Sequence, residues 1–169
     1  MRRQIVLLVV TAVAGCTTTP AGDPGVIPAP RAGQIDRLIA EKRRAVILAE
    51  ITSYYRDLSA RDWDAFASHF WRGAKVVTIW EPDDEGRRVV FSSVPEFIAE
   101  VDPGPDIVFD ETLTNAQVHV SGNVAVVWAE YRVRFGNADD MREWSGTDAF
   151  TLIRHLGIWK ITALAFAPR

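Results

Sequence analysis

The 169-residue sequence has a single cysteine, Cys16, and three histidines. One cysteine excludes an internal disulfide. His69, His119 and His155 are widely separated and form none of the short-spaced pairs that bind zinc, so we predict no metal site. Gly-rich phosphate loops and the G-x-S-x-G motif are also absent. The sequence therefore predicts no cofactor and shows no recognisable catalytic motif.

Positive charge is not in excess, because 19 Lys and Arg residues stand against 22 Asp and Glu residues, a formal net charge of −3. This balance predicts no nucleic-acid partner. The only basic cluster, Lys42-Arg43-Arg44, falls in a predicted helix and follows Glu41. We interpret it as a solvated helix face rather than a phosphate site.

The first sixteen residues have the layout of a secretory signal peptide. Arg2 and Arg3 precede an apolar run over residues 5–13, which is too short to span a bilayer. The run ends in Val13-Ala14-Gly15-Cys16, which resembles the lipobox of bacterial lipoproteins. That resemblance implies a signal peptide over residues 1–15 and a lipid on Cys16, which becomes the N-terminus.

An alternative is an ordinary secreted protein whose only cysteine falls at this position. A free exposed thiol is a liability in an exported chain, which favours lipidation of Cys16. Each acyl-chain methylene that is buried in the bilayer stabilises membrane binding by about 0.8 kcal/mol. Thr17, and not Asp, follows the cysteine. By resemblance to Gram-negative lipoproteins, this implies an outer-membrane lipoprotein facing the periplasm.

Residues 16–33 separate this anchor from the rest of the chain. After Cys16 they are rich in Thr, Pro, Gly and Ala, with little apolar material. Such a segment cannot bury enough surface to fold, so we expect a flexible linker. Residues 34–169 are apolar enough to form a single domain.

Three helices are predicted before most of the strands. Apolar residues at three- and four-residue spacings indicate a long helix over residues 34–60. Asp62 is a candidate N-cap for a short helix over residues 63–70. Ser93-Val-Pro-Glu96 is a capping box that opens a third helix, which ends before Pro103.

Strands occupy most of the remaining domain. The β-branched content and turn residues predict them over residues 75–80, 87–91, 106–120, 124–135, about 142–155 and 158–166. Hairpin turns are expected at residues 121–123 and 155–157. This order predicts an α+β fold, with three helices packed on one face of a curved, mostly antiparallel sheet.

The element order and several short motifs resemble the nuclear transport factor 2-like fold, which includes SnoaL-like cyclases and ketosteroid isomerases. The motifs are residues 54–66 (YYRDLSARDWDAF), the capping box at Ser93 and residues 157–161 (GIWKI). The resemblance implies a cone whose open end is a mostly apolar pocket. It also implies a possible homodimer formed through the sheet.

The same resemblance supplies candidate site residues. Isomerase-like members use a Tyr on the first helix, an Asp base near the end of the first strand, and a second acid deeper in the sheet. Tyr54 matches the tyrosine, and Asp148 lies near the second acid. The base position falls on Thr78, whose hydroxyl cannot abstract a proton near neutral pH. Isomerase chemistry by that route is therefore disfavoured, and we assign no catalytic residue.

Strand alternation suggests further pocket residues. Trp128 and Glu130 share one face of a predicted strand, and Asp148 and Phe150 share one face of the next. If all four point into the cone, they form a pocket with aromatic walls and two carboxylates, with Trp80 at its rim. The alternative, which we favour, is that Glu130 pairs with a neighbouring Arg on the solvated face of the sheet.

The predicted pocket thus consists of Tyr54, Thr78, Trp80, Trp128, Glu130, Asp148 and Phe150. The first functional hypothesis is a membrane-anchored lipoprotein whose cone holds a small apolar ligand or a protein partner. The second is a SnoaL-like cyclase, isomerase or dehydratase acting on a small hydrophobic carbonyl compound. The third is assembly as a homodimer. Two carboxylates enclosed in one cavity would favour the enzyme.

Overall fold

A computed structural model describes residues 31–80, 86, 88–102, 104 and 106–168. The predicted signal peptide, Cys16 and the linker up to residue 30 lie outside the described residues. The first helix begins at Ala32, so it takes in the last two residues of the predicted linker. Residues 32–169 form one compact unit, and all the buried core residues among the described residues lie in it.

Three helices precede or interrupt the first strands: α1 (Ala32–Ala60), α2 (Trp63–Ser68) and α3 (Val94–Val101). The Asp62 side chain caps α2 by accepting the N–H of Ala65 at 3.1 Å. Ser93 and Glu96 form the predicted capping box, with Glu96 Oε2 accepting the Ser93 N–H at 2.7 Å. These side chains satisfy backbone donors that have no partner within the helix, which fixes where each helix begins.

Six strands form one sheet, with bounds β1 (Phe70–Trp80), β2 (Arg88–Ser93), β3 (Val108–Ser121), β4 (Val124–Gly136), β5 (Met141–His155) and β6 (Ile158–Pro168). Their order across the sheet is β2-β1-β6-β5-β4-β3. Every pairing is antiparallel except that of β1 with β6, which is parallel. The prediction of an α+β fold with helices on a curved, mostly antiparallel sheet is confirmed.

Strand β1 begins five residues earlier than predicted. Between Phe70 and Lys75 it advances five residues while β6 advances only from Ile161 to Ala163, which defines a bulge. Gly73 lies within this bulge at φ +87°, a backbone conformation that favours glycine. The irregular pairing conceals the first half of β1 from a search for regular alternation. Helix α2 correspondingly ends at Ser68, two residues before the predicted end.

The core lies between the helices and one face of the sheet, which we call the inner face. Helix α1 contributes Ile47, Ile51 and Leu58, and the inner face contributes Val127, Leu152 and Ile161; all six are fully buried or nearly so. Among the described residues, no helix combines the length and apolar composition needed to cross a bilayer.

Candidate functional site

Strand β4 determines which side chains can reach the interior. Its residues alternate between buried and exposed along almost the whole strand. Ala129 and Tyr131 are buried on the inner face, so Trp128 and Glu130 must point to the opposite, outer face. Trp128 is 52% exposed. The prediction that Trp128 and Glu130 line the pocket with Asp148 is therefore wrong, and Glu130 lies on the solvated face.

A cavity of about 180 Å³ lies between the helices and the inner face. Its apolar walls are Leu58, Phe97, Val101, Phe109, Trp144 and Phe166. Two carboxyl groups, Glu111 and Asp148, and two tyrosine hydroxyl groups, Tyr54 and Tyr131, also line it. An apolar pocket with a few convergent polar groups is the usual form of a small-molecule site.

Asp148 is the most buried acid of the cavity, at 3% exposure. The Tyr55 hydroxyl, which comes from α1, donates a hydrogen bond to Asp148 Oδ2 at 2.6 Å. Burial raises the pKa of Asp148 above the usual value of a carboxyl group, and the hydrogen bond from Tyr55 partly opposes that rise. The second oxygen of Asp148 remains available to a ligand.

Glu111 is the second acid, and it comes from β3. The end of α1 fixes its backbone, because Ser59 Oγ accepts the Glu111 N–H at 2.8 Å and donates to the Glu111 carbonyl at 2.9 Å. Burial, and then the charge of Asp148, raise the pKa of Glu111 well above its usual value. Ionisation of both carboxyl groups in one apolar site is costly, so the state in which one of them keeps its proton is favoured.

The tyrosines supply neutral donors. Burial raises the pKa of Tyr54 well above its usual value, and the charges of Asp148 and Glu111 raise it further. Among the described residues, the Tyr54 hydroxyl has no hydrogen-bond partner. Tyr131 packs over Gly146 of the neighbouring strand, where an added Cβ would lie 2.2 Å from the Tyr131 hydroxyl. Gly146 therefore makes room for Tyr131 at the cavity wall.

A SnoaL-like domain model matches residues 47–166, which include all of these elements except the first half of α1 and the last residues of β6. The chain belongs to the SnoaL-like domain family. No curated protein matches it. Solved structures do, at identities that show a shared fold only.

One similar structure is a nuclear transport factor 2-like protein with a cystatin-like fold from Novosphingobium aromaticivorans. It has 16% identity and a TM-score of 0.63, over 82% of this chain and 90% of that one. A ketosteroid isomerase-like protein from Erwinia carotovora atroseptica has 17% identity and a TM-score of 0.58, over 73% and 94%. A putative dehydratase from Streptomyces avermitilis has 14% identity and a TM-score of 0.59, over 77% and 98%.

The structure divides the predicted pocket residues of this SnoaL-like domain into separate groups. Tyr54 and Asp148 line the cavity. Phe150 is fully buried beneath it, with its ring centroid 5.0 Å from that of Tyr54. Thr78 is half-buried and lies outside the cavity, paired with Phe166 in the sheet. Trp80 ends β1, and its side chain lies outside the described part of the chain.

Sequence reasoning missed Glu111. It shares the inner face of β3 with Phe109 and Leu113, and that alternation is visible in the sequence. A single acid in a strand that also contains Asp110 and Thr112 carries no signal of its own, however. Its place in the same cavity as Asp148 depends on how β3, β4 and β5 pair.

A second buried polar cluster in the SnoaL-like domain centres on His69, which follows α2 and is 6% exposed. Its Nδ1 lies 3.0 Å from Glu50 Oε1, and its Nε2 lies 2.9 Å from Asp57 Oδ2. Burial lowers the pKa of His69, but the hydrogen bonds and charges of the two carboxylates outweigh it, so the pKa is raised. Each ring nitrogen therefore faces a carboxylate, an arrangement that favours the protonated imidazolium form of His69.

Asp57 is held from its other side as well. The Arg56 guanidinium hydrogen-bonds both carboxylate oxygens, at 2.7 and 3.0 Å. These bonds, together with those of His69, lower the pKa of Asp57 despite its burial. Within the described residues, no three His, Cys, Asp or Glu side chains are placed to bind a metal ion. Because each buried charge of the His69 cluster faces a group of opposite charge, we assign the cluster a structural role.

Proposed function

We propose that this SnoaL-like domain binds a small, mostly apolar molecule that carries a single carbonyl or hydroxyl oxygen. The observation that supports the proposal is the cavity, whose walls are apolar and whose few polar groups converge. The Tyr54 hydroxyl is free to donate to a ligand oxygen, and the raised pKa of Glu111 favours its protonated carboxyl group, which is a second donor.

The size of the cavity limits the ligand. A dry apolar cavity of about 150 Å³ binds benzene, and the cavity here measures about 180 Å³. The ligand is therefore a single ring with a short substituent, or the end of a longer molecule that projects outward.

A pair of ring compounds tests this proposal. Acetophenone and toluene have similar shapes, but only acetophenone has an oxygen that can accept a hydrogen bond. Trp144 lines the cavity, so tryptophan fluorescence reports binding. We expect Tyr54→Phe to weaken acetophenone binding about tenfold, the effect of one lost hydrogen bond, and to leave toluene binding unchanged. Equal affinities of the wild type for both compounds would contradict a polar contact with the ligand.

We further propose that a lipid on Cys16 anchors the domain to the outer membrane, facing the periplasm. The support is the signal-peptide layout and the four residues that end at Cys16. Cys16→Ser should abolish acyl labelling and release the protein from the membrane fraction, whereas Thr17→Ser should do neither. Unchanged fractionation of Cys16→Ser would refute the anchor.

Enzymatic activity as an isomerase or dehydratase is the second candidate. The specific observation in its favour is the enclosure of two carboxyl groups, Glu111 and Asp148, in one cavity where, among the described residues, only Asp148 accepts a side-chain hydrogen bond, from Tyr55. Pairs of acids in unequal environments can divide the roles of proton donor and acceptor. One carboxylate would accept a proton from the carbon beside a ligand carbonyl, while the Tyr54 hydroxyl donates to the carbonyl oxygen.

Exchange of carbon-bound hydrogen for deuterium tests that step without knowledge of the substrate. In D₂O, the protein should speed deuterium uptake beside the carbonyl of acetophenone, as measured by NMR. Glu111→Gln and Asp148→Asn should each lower the rate at least about tenfold. Glu130→Gln, at an exposed carboxylate on the outer face, should not. Uptake at the rate of buffer alone would leave ligand binding as the function.

We also propose that a second copy of the chain covers the outer face of the sheet. Val89, Phe91 and Trp128 are more than half exposed there. Such exposed apolar side chains are a common mark of an interface. Light scattering after size exclusion should show a dimer that Trp128→Glu converts to a monomer, while Leu48→Glu on α1 leaves the dimer intact. A wild-type monomer would end this proposal.

A further inference from the structure

The start of α1 and the hairpin between β5 and β6 form a surface at one end of the molecule. A shallow groove between them is lined by Ile39, Lys42, Arg43 and Val46 of α1 and by Arg154, Gly157 and Trp159 of the hairpin. The sheet register puts this hairpin at the opposite end of β5 from the Gly146–Pro168 pair. The surface thus lies where the described chain begins, at residue 31.

Apolar side chains are exposed on both parts of this surface. On α1, Ile35, Leu38, Ile39 and Val46 are all more than 40% exposed. Their three-, four- and seven-residue spacings put them on one stripe of the helix. On the hairpin, Leu156 is 88% exposed and Ile158 is 60% exposed. These side chains gain no stability from the core of the domain.

Leu156 also adopts an unfavourable backbone conformation. Its φ is +49°, in the left-handed region that costs a residue with a Cβ roughly 1–2 kcal/mol. Asn, Asp and Gly are the usual residues at such a turn position. The Leu156 side chain does not pack in the core, and leucine does not suit the left-handed conformation of the turn. Its presence therefore points to a contact outside the domain.

Charge distinguishes this surface from the rest of the chain. Residues 35–46 and 154–158 together contain five Lys and Arg residues against two acids, a net charge of +3, although the whole chain carries −3. Lys42, Arg43 and Arg154 lie beside the exposed apolar side chains at the groove. Basic residues around exposed Leu and Ile are typical of protein surfaces that bind anionic membranes.

We propose that this surface, formed by residues 35–46 of α1 and residues 154–158 of the hairpin, docks on an anionic phospholipid bilayer. The inference rests on the proposed lipid at Cys16, which supplies the bilayer. Cys16 precedes Ala32 by 16 residues. A fully extended chain of that length spans up to about 50 Å, so the surface can reach the membrane. Asp148, seven residues before His155 along β5, stays about 20 Å away from the bilayer.

Vesicle flotation of residues 17–169, without any lipid, tests the docking separately from the anchor. The compact unit over residues 32–169 holds the entire core, so this protein retains its fold. The vesicles are phosphatidylethanolamine with about one-third phosphatidylglycerol, compared with phosphatidylcholine alone. We expect binding to the anionic vesicles only, and we expect added salt to weaken it because salt screens surface charges.

A charge reversal with a matched control and one apolar substitution locate the binding surface. Reversal of Lys42, Arg43 and Arg154 to Glu should weaken vesicle binding more than about tenfold. Reversal of Arg132, Arg134 and Arg142 to Glu changes the net charge equally but should leave most of the binding. Leu156→Asn suits the turn better, so it should raise the unfolding temperature while it weakens vesicle binding about tenfold through the lost apolar contact.

Several results would overturn the docking surface. They are absence of binding to anionic vesicles, equal losses in the two triple variants, and full vesicle binding by Leu156→Asn. A dimer that the Lys42, Arg43 and Arg154 reversal dissociates would assign the surface to a second copy instead. None of these results depends on Cys16, whose lipidation the acyl-labelling experiment decides.

Discussion

Helix α1 contributes to two buried polar clusters that differ in how their charges are compensated. In the His69 cluster, each ring nitrogen meets a carboxylate, and Arg56 binds the other side of Asp57. In the cavity, Asp148 has one donor, Tyr55, and the Glu111 side chain has none among the described residues. The pKa of Asp57 is lowered, whereas the pKa values of Asp148 and Glu111 are raised.

This contrast separates a structural cluster from a candidate functional one. Mutual attraction between compensated buried charges offsets the cost of their desolvation, so removal of one partner alone is destabilising. Uncompensated carboxyl groups in an apolar cavity reduce stability and are found where a ligand or a proton transfer requires them. Substitutions in the two clusters should therefore change stability in opposite directions.

The largest expected effect is from Asp57→Ala in the compensated cluster. It leaves His69 Nε2 without its carboxylate and removes one of the two charges that hold the buried imidazolium. The free energy of unfolding, measured by urea titration at pH 6, should fall by about 3–5 kcal/mol.

The matched control is Asp64→Ala, at an exposed acid in the first turn of α2. It should change the free energy of unfolding by about 0.5 kcal/mol or less. If both variants cost the same small amount, the His69 cluster would not be a stabilising unit.

Asp148→Asn should have the opposite sign. Asparagine keeps an oxygen that accepts the Tyr55 hydroxyl but has no charge to desolvate. At pH 8 the variant should be more stable than the wild type, because the buried Asp148 carboxyl must ionise there at a cost of about 1.4 kcal/mol for each unit by which its pKa is raised. At pH 4 both side chains are neutral, so the gain should vanish.

Thermal unfolding at the two pH values measures this difference. Glu130→Asn on the outer face serves as the control and should show no gain at pH 8. A loss of stability in Asp148→Asn at pH 8 would mean that the Asp148 carboxylate is compensated after all, and would remove the basis for a reactive acid in the cavity.

The pH dependence of stability should connect the two clusters. The pKa of His69 is raised in the folded state, so protonation of His69 stabilises the fold. This stabilisation is complete below the pKa of about 6.5 in the unfolded state, and it is lost as pH rises through the pKa in the folded state. The free energy of unfolding should therefore fall as pH rises above 6, by about 1.4 kcal/mol for each unit of pKa difference.

Asp148 also lowers the free energy of unfolding as pH rises, because its raised pKa in the folded state means that the carboxyl group ionises first in the unfolded state. That loss begins near pH 4, below the range in which His69 titrates. His69→Gln should remove only the loss above pH 6, and Asp148→Asn should remove the loss that begins near pH 4. A His69→Gln profile parallel to that of the wild type would show that His69 is not protonated in the folded state.

Much of the fold is predictable from sequence, because it depends on local patterns. The capping box at Ser93, the N-cap at Asp62 and the glycine turn at residues 121–123 each act through neighbours in the chain, and the structure has them all. The start of β1 was missed because a bulge at Gly73 breaks the alternation. Local rules fail where pairing is irregular.

The candidate site is less predictable, because alternation defines two faces of a strand without saying which one faces the helices. Trp128 and Glu130 can form a pocket wall with an acid only if their face of β4 faces the helices. The opposite face carries Val127, Ala129 and Tyr131, an apolar set that indicates the core. For the His69 cluster a signal did exist. Glu50 and Asp57 are seven residues apart, which puts both on one face of α1.

The smallest effect is expected from a comparison of Tyr54 in the cavity wall with its neighbour on α1, Tyr55, which binds Asp148. Tyr55→Phe removes the 2.6 Å hydrogen bond to Asp148 and leaves that oxygen unpaired, so it should cost about 1 kcal/mol of stability at pH 6. Tyr54→Phe removes a hydroxyl that has no partner in the described structure, so it should cost about 0.5 kcal/mol or less. Both measurements use urea unfolding. Because each change deletes one oxygen from a buried ring on the same helix, the difference between them isolates the hydrogen bond to Asp148. If Tyr54→Phe were the more costly change, its hydroxyl would be bonded within the folded domain, and the donor assigned to the ligand would be lost.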